Sequence, residues 1–199
     1  HLRKAGAVGY WQGDPQNNHR WHRNAGLVLA TLAAYSGDPS EEWLLRQVYD
    51  EIAFVAEWLP DDGTVHESST YLVFGASHLA LALVASDNCF GTDYLDSPFF
   101  RNVGPFRMQL LTPDLATVFQ YGDSSMGLGA YNHFAYLSAA RHGHGAVIDG
   151  LDEMFQRDPF AFDFGWFGVL WRGTTIPGES YRDLPRISHF DDLGLSIFR

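Results

Sequence analysis

Apolar positions along the chain change their spacing several times, and each change predicts an element. Over residues 23–35, Ala25, Leu27, Val28, Leu29, Leu32 and Ala33 are apolar on nearly every side, which predicts a helix wrapped by neighbours. Gly37 ends it. Asp38, Pro39 and Glu41 form a helix start: an N-cap, a first-turn proline that needs no amide donor, and an acid placed for a capping box. The helix that follows, to about residue 59, carries Leu45, Val48, Ile52, Val55 and Leu59 at spacings of three and four, with Glu42, Arg46, Asp50 and Glu57 between them, so one face is buried. Pro60, Asp61, Asp62 and Gly63 break the pattern. A third helix over 69–86 places Leu72, Ala76, Leu79 and Leu83 on one stripe. A fourth starts at Ser97 and Pro98, with Gly104 and Pro105 expected to interrupt or kink it before Leu111. After a loop over 112–125, a fifth spans 127–142, then a Gly/His turn and one or two short helices lie within 149–170, giving six or seven in all.

Short connections make successive helices antiparallel. The segments before the first, third and fifth helices (17–22, 60–71 and 112–125) then emerge on one rim. Asn17, Asn18, His19, His22, His66, Glu67, Tyr71 and Asp123 all fall in those segments. Near the end the period changes to two, with Leu193, Leu195 and Ile197 alternating with Gly194, Ser196 and Phe198, which predicts a strand. No partner strand is read elsewhere, so this strand is expected to open a further sheet. Residues 1–10 carry neither a helix cap nor an initiating methionine, and the chain is therefore read as an internal piece of a longer protein.

Composition narrows the function classes. Apolar residues make up 46% and charged residues 19% of 199, enough for a sizeable core. No apolar run is read as approaching the ~18 residues that cross a bilayer, so no membrane partner is expected. Thirteen Lys and Arg against 24 Asp and Glu, a net charge of −11, argue against a general nucleic-acid binder. The lone Cys89 excludes an internal disulfide framework and a multi-thiolate zinc site. No cofactor or metal set is read. His19, Arg20, His22 and Arg23 form one cationic crowd, and aromatics at 15%, with six tryptophans, suit either a helical core or a carbohydrate site.

Asn17-Asn18-His19-Arg20-Trp21, the apolar helix after it, Asp62-Gly63 followed by Glu67 and Tyr71, then Tyr121-Gly122-Asp123-Ser124, and finally Phe190-Asp191-Asp192-Leu193-Gly194-Leu195 stand in a fixed order. In order and spacing they resemble the heparinase II/III-like polysaccharide lyases, relatives of alginate lyases and of dermatan sulfate epimerase. The resemblance implies an all-α fold, an incomplete (α/α) toroid of antiparallel helical hairpins over residues 1–185, with residues 186–199 as the first strand of a truncated C-terminal β-sheet domain. It also implies an acidic polysaccharide as substrate, a periplasmic or extracellular location, and the family's Asn-His pair on Asn18 and His19 with its toroid tyrosine on Tyr71. Glu67 is followed by Ser68 where the family has glycine. A further histidine or tyrosine from the β domain is implied, and His189 does not match it.

Such enzymes cleave a uronate polymer by β-elimination. Donors aimed at the carboxylate spread the charge that develops when the C5 proton leaves. Asn18 and His19, with His22 or Arg23, are candidates for that task. Tyr71 suits the acid that protonates the departing C4 oxygen, and also a base if nearby cations lower its pKa; His19 suits a neutraliser or a base. Asn17, Glu67, Asp123 and Trp21 complete the candidate substrate-binding set.

Each residue also has a plainer reading. Asn17, Asn18 and His19 could cap a helix, Tyr71 could be a packed aromatic, Glu67 could answer a helix dipole, and Asp123 could form a turn. His142 and His144 are read as solvated and His66 and His78 as structural, while Trp11 and Trp21 either stack on sugars or pack the core. Competing functions are a toroid hydrolase using Asp14, Glu67 and Asp123, a uronyl C5-epimerase, and a noncatalytic carbohydrate-binding domain.

Overall fold

The computed structural model describes residues 13–125, 127–129, 131–158, 165–172 and 179–199. Trp11, the uncapped start over 1–10 and part of the last short-helix region lie outside the described residues. Among those described there are seven α-helices: α1 (Asn18–Ala34), α2 (Glu42–Glu57), α3 (Ser69–Phe90), α4 (Pro98–Gln109), α5 (His133–His142), α6 (Gly145–Arg157) and α7 (Gly165–Trp171). Two strands, β1 (Ile187–Phe190) and β2 (Leu195–Phe198), complete the fold.

Alternation holds for the first three helices. Gln16 meets Trp58 and Arg20 meets Glu51, so α2 runs against α1. Asn18 meets Glu67, and the His22 ring lies 4.7 Å from that of His78, so α3 runs with α1. The stripe Leu72, Ala76, Leu79 and Leu83 of α3 is buried at the centre. This helix extends to Phe90, past the expected end, and closes at Gly91, whose φ of 68° suits the left-handed cap. With 22 residues, and a mean hydropathy of 1.4 over an 18-residue stretch of them, it is long and apolar enough to cross a bilayer, contrary to the expectation, yet 67% of that stretch is buried in the core.

The first helix departs from the wrapped arrangement its composition suggests. Trp21, Ala25, Val28 and Thr31 are buried at three- and four-residue spacing, but Leu27 and Leu29 are about 40% exposed, because α2 and α3 pack against a single side. Asp38 caps as expected, accepting from the Ser40 amide at 2.8 Å. Glu41, however, takes the Ser36 amide and hydroxyl instead of closing a capping box.

Pro105 sits inside an unbroken α4. A proline at this position removes the hydrogen bond to the Arg101 carbonyl. The His144 Nε2 supplies a bond to that oxygen at 3.0 Å, and the Ser138 hydroxyl bonds the neighbouring Phe100 carbonyl at 2.6 Å. His144 thus replaces a lost backbone donor and is not simply solvated, while His142 bonds the Leu95 carbonyl at 2.8 Å. The α5 helix begins at His133, later than expected, because the preceding turn is held from outside by Arg107 of α4. This guanidinium is fully buried and donates to Asn132 Oδ1 at 2.9 Å and to the Leu128 carbonyl. Burial lowers its pKa to about 10, which still leaves it cationic at neutral pH.

The terminal strand is not alone. It pairs antiparallel with β1 from Ile187↔Phe198 to Phe190↔Leu195, and Leu193, expected within the strand, lies in the turn where Gly194 takes a φ of 63°. The stretch 186–199, expected as one strand, is thus split by a turn over residues 191–194 into two strands that pair with each other. The hairpin rests on the helices through Phe190, whose ring stands edge-on to Phe106 at 4.8 Å, and through buried Ile197.

His133, stacked on Phe167 at 5.2 Å, has its pKa pulled from 6.5 to about 4, chiefly by burial. Between those values the unfolded chain binds a proton that the folded chain refuses, so stability is lost as pH falls through that window. The full loss is about 3 kcal/mol. Urea unfolding at pH 7 and pH 4.5 should show this fall, and His133→Gln should flatten it; an unchanged acid sensitivity in the variant would contradict the account.

Candidate functional site

The rim is built around one carboxylate. Asn17 is the N-cap of α1, and its side-chain oxygen accepts from the His19 amide at 3.0 Å. Its Nδ2 donates to Glu67 Oε1 at 2.8 Å, while the Asn18 backbone amide and Nδ2 donate to Glu67 Oε2 at 2.6 and 2.9 Å. Glu67 lies just before Ser68, the N-cap of α3, whose hydroxyl accepts from the Tyr71 amide at 3.0 Å. The first turns of two helices distant in sequence are thereby tied together.

The loop before α5 is fastened to the same place. Ser68 and Gly122 form an antiparallel bridge, Tyr121 Oη donates to the Val65 carbonyl at 2.6 Å, and Ser69 Oγ bonds Ser124 Oγ at 3.0 Å. The Ser125 amide donates to Thr70 Oγ1 at 2.9 Å. Burial pushes the Tyr121 phenol well above its ordinary pKa, which keeps it a neutral donor. At the end of this zipper Tyr71 Oη donates to Asp123 Oδ2 at 3.2 Å.

The nine candidates therefore divide by exposure. His19, His22, Arg23 and Asp123 are exposed, and Tyr71 and Glu67 are half-buried. Asn17 and Asn18 are buried at 2% exposure, with their donors turned to Glu67, so they position the rim instead of presenting amides to a polymer. Trp21 is corrected outright. Its indole is 1% exposed, donates to the Pro15 carbonyl at 2.8 Å and meets Phe99 edge-on at 5.9 Å, which makes it a core residue with no face left for a sugar. Arg20 also leaves the cationic crowd, since it is buried against Glu51 and lies over the Phe54 ring.

Below the rim, His22 lies against Phe74 and His78. Partial burial lowers its pKa, and the nearby charges of His78, His19 and Arg23 lower it further, so at neutral pH it acts as a neutral hydrogen-bonding ring. His78 bonds the Phe74 carbonyl through Nδ1 at 2.7 Å. Of the zipper residues, Gly122 stands in the Tyr121-Gly122-Asp123-Ser124 motif, while Ser69, Thr70 and Ser125 carry no signal of their own. The Gly-Asp-Ser turn within that motif is a composition shared by many surface loops.

Gly122 has a φ of 57°, and a Cβ there would lie 2.0 Å from the Glu67 carbonyl oxygen. Gly143 has a similar φ of 74° but open space around it. Gly143→Ala should cost about 1 kcal/mol of stability, from backbone strain alone. Gly122→Ala should cost at least ~2 kcal/mol more, because the two segments must part. Chemical denaturation of both variants checks this; equal losses would mean that the close approach is not as tight as described.

No known protein-family model matches this sequence, and no curated protein matches it.

Proposed function

We propose that this chain is the helical part of a polysaccharide lyase that cleaves a uronic-acid-containing polymer by β-elimination, and that its helices belong to an incomplete (α/α) toroid. The observation carrying this reading is the clasp at Glu67, which brings the first turns of α1 and α3 to one end, with an exposed imidazole at His19 and a half-exposed phenol at Tyr71. The antiparallel order of α1, α2 and α3 supports the toroid.

In the proposed step a base removes the proton on C5, a double bond forms between C4 and C5, and the C4–O bond breaks. Tyr71 gives its proton to the departing oxygen. Its hydroxyl already donates to a carboxylate, Asp123, and a phenol held that way is in the proton-bearing form an acid needs. A cation that would favour its base role is not what it touches at that bond. His19 takes the C5 proton of one uronate epimer or hydrogen-bonds the carboxylate, while His22 and Arg23 add a donor and a positive charge for the developing anion. A long charged polymer does not cross a membrane unaided, so this reading places the chain in the periplasm or outside the cell.

Hydrolysis is the poorer fit. It needs two available carboxyl groups flanking the scissile bond. Glu67 already receives three N–H bonds from Asn17 and Asn18 and Asp14 is engaged with His66 and Gln16, which leaves exposed Asp123 without an equally accessible carboxylate beside it.

With the complete gene product and a panel of uronate polymers, unsaturated product should be detectable by its ultraviolet absorbance. Tyr71→Phe should lower its release by about two orders of magnitude or more while polymer binding persists. Turnover retained in that variant would refute the assignment, and reducing ends released without the unsaturated chromophore would point to hydrolysis.

A further inference from the structure

Residues just before the clasp partners in sequence, Gln16 and His66, line a cavity of about 280 Å³ together with the end of α2, the turn after it and the hairpin turn. At ~30 Å³ per water the space holds roughly nine waters, the scale of one sugar ring. Trp58, 54% exposed, forms part of its wall. An accessible indole offers a flat apolar surface to the C–H face of a pyranose.

The polar wall is fixed in advance. Gln16 donates through Nε2 to the Trp58 carbonyl at 3.1 Å, its Oε1 lies 3.2 Å from His66 Nδ1, and His66 Nε2 lies 3.2 Å from Asp14. Across the cavity Asp62 and Asp192 exchange amide-to-carboxylate bonds of 3.1 and 2.9 Å, which anchor the hairpin turn to the turn after α2. Groups already held in place lose little freedom when a ligand arrives. The charge on the wall is one-sided: Glu57, Asp61 and Asp192 line it, no Lys or Arg does among the described residues, and the imidazole of His66 is engaged by Asp14.

We propose that this cavity is a binding subsite for an uncharged pyranose unit and that its carboxylates exclude uronate. Stacking on Trp58 and hydrogen bonds from the hydroxyl-rich ring to the remaining Gln16 amide hydrogen and the acidic side chains provide the attraction, while His66, bonded through both ring nitrogens, holds Gln16 in place. A second carboxylate brought among Glu57, Asp61 and Asp192 meets only like charge. The assignment goes beyond the elimination reading and does not depend on it. If both hold, the polymer presents an uncharged sugar close to the uronate that is cleaved.

Calorimetric titration at pH 7 with cellobiose and with digalacturonate reads binding without turnover. Cellobiose should bind, with digalacturonate at least about tenfold weaker, a difference of ~1.4 kcal/mol. Trp58→Ala should weaken cellobiose by about tenfold. Asp61→Lys, a change at an exposed side chain, should tighten digalacturonate binding and so tests the charge argument by a gain. Absence of cellobiose binding, digalacturonate bound as well as cellobiose, indifference to Trp58→Ala, or no gain in Asp61→Lys would each overturn the proposal, whatever the fate of the elimination chemistry.

Discussion

The constraint on which the rest depends is the carboxylate of Glu67 receiving three N–H groups from Asn17 and Asn18. Hydrophobic burial alone would let α1 and α3 lie side by side, since Trp21, Ala25 and Val28 of α1 and the stripe of α3 are all buried, but burial is indifferent to small slides along the helix axes. The clasp sets the register. A negative group at the positive end of a helix is favourable in itself, and charge-assisted bonds are short and directional. Gly75 lets the approach close: a Cβ there would lie 2.9 Å from the Trp21 ring and 3.2 Å from the Asn18 Cβ. With register fixed, His19 and Tyr71 have to emerge at the same end.

Much of the helical architecture is legible from spacing because each helix buries one stripe, and a stripe leaves a 3.6-residue imprint. For α2 the imprint, the start signal and the acidic outer face agree, and Val48, Ile52 and Val55 are buried as the pattern implies. Where legibility fails, a distant partner has changed a local rule. Pro105 reads as a break, yet the carbonyl it orphans is met by His144 more than forty positions away in sequence, and Ser138 supports the same turn. The apolar girth of α1 reads as complete wrapping, but composition cannot say how many neighbours a helix will have. The stretch 186–199 reads as one strand, and the turn that folds it into β1 and β2 went unseen because the alternation of Leu193, Leu195 and Ile197 runs on through it.

The rim was legible in a different way. Helix alternation and loop position were enough to bring 17–22, 60–71 and 112–125 together, and the bonds among Asn18, Glu67, Ser68, Gly122, Tyr71 and Asp123 join those three segments. What spacing could not supply is which way each side chain turns. Asn18 and His19 are adjacent, and one is sealed against Glu67 while the other is exposed. A 100° step around a helix separates a positioning residue from one that can meet a ligand, and it is the tertiary neighbour on that side that decides between them.

Net charge, which on its own counts against an acidic ligand, matters less than its arrangement. Screening limits the reach of an exposed charge to about 8 Å at physiological salt, so a ligand responds to the groups nearest it and not to the total of −11. After the clasp in sequence come His19, His22 and Arg23; around the cavity lined by Gln16 and His66 stand Glu57, Asp61 and Asp192. Burying Arg20 against Glu51 sharpens this division by removing a cation from the outer surface, and engaging Asp14 with His66 moderates it on the acidic side. A polymer of uniform charge would be attracted by one set of groups and repelled by the other. On the proposed readings, a chain whose units alternate between acidic and uncharged sugars would meet both sets without conflict, and the same distribution that disfavours a densely anionic ligand would select for spacing between its charges.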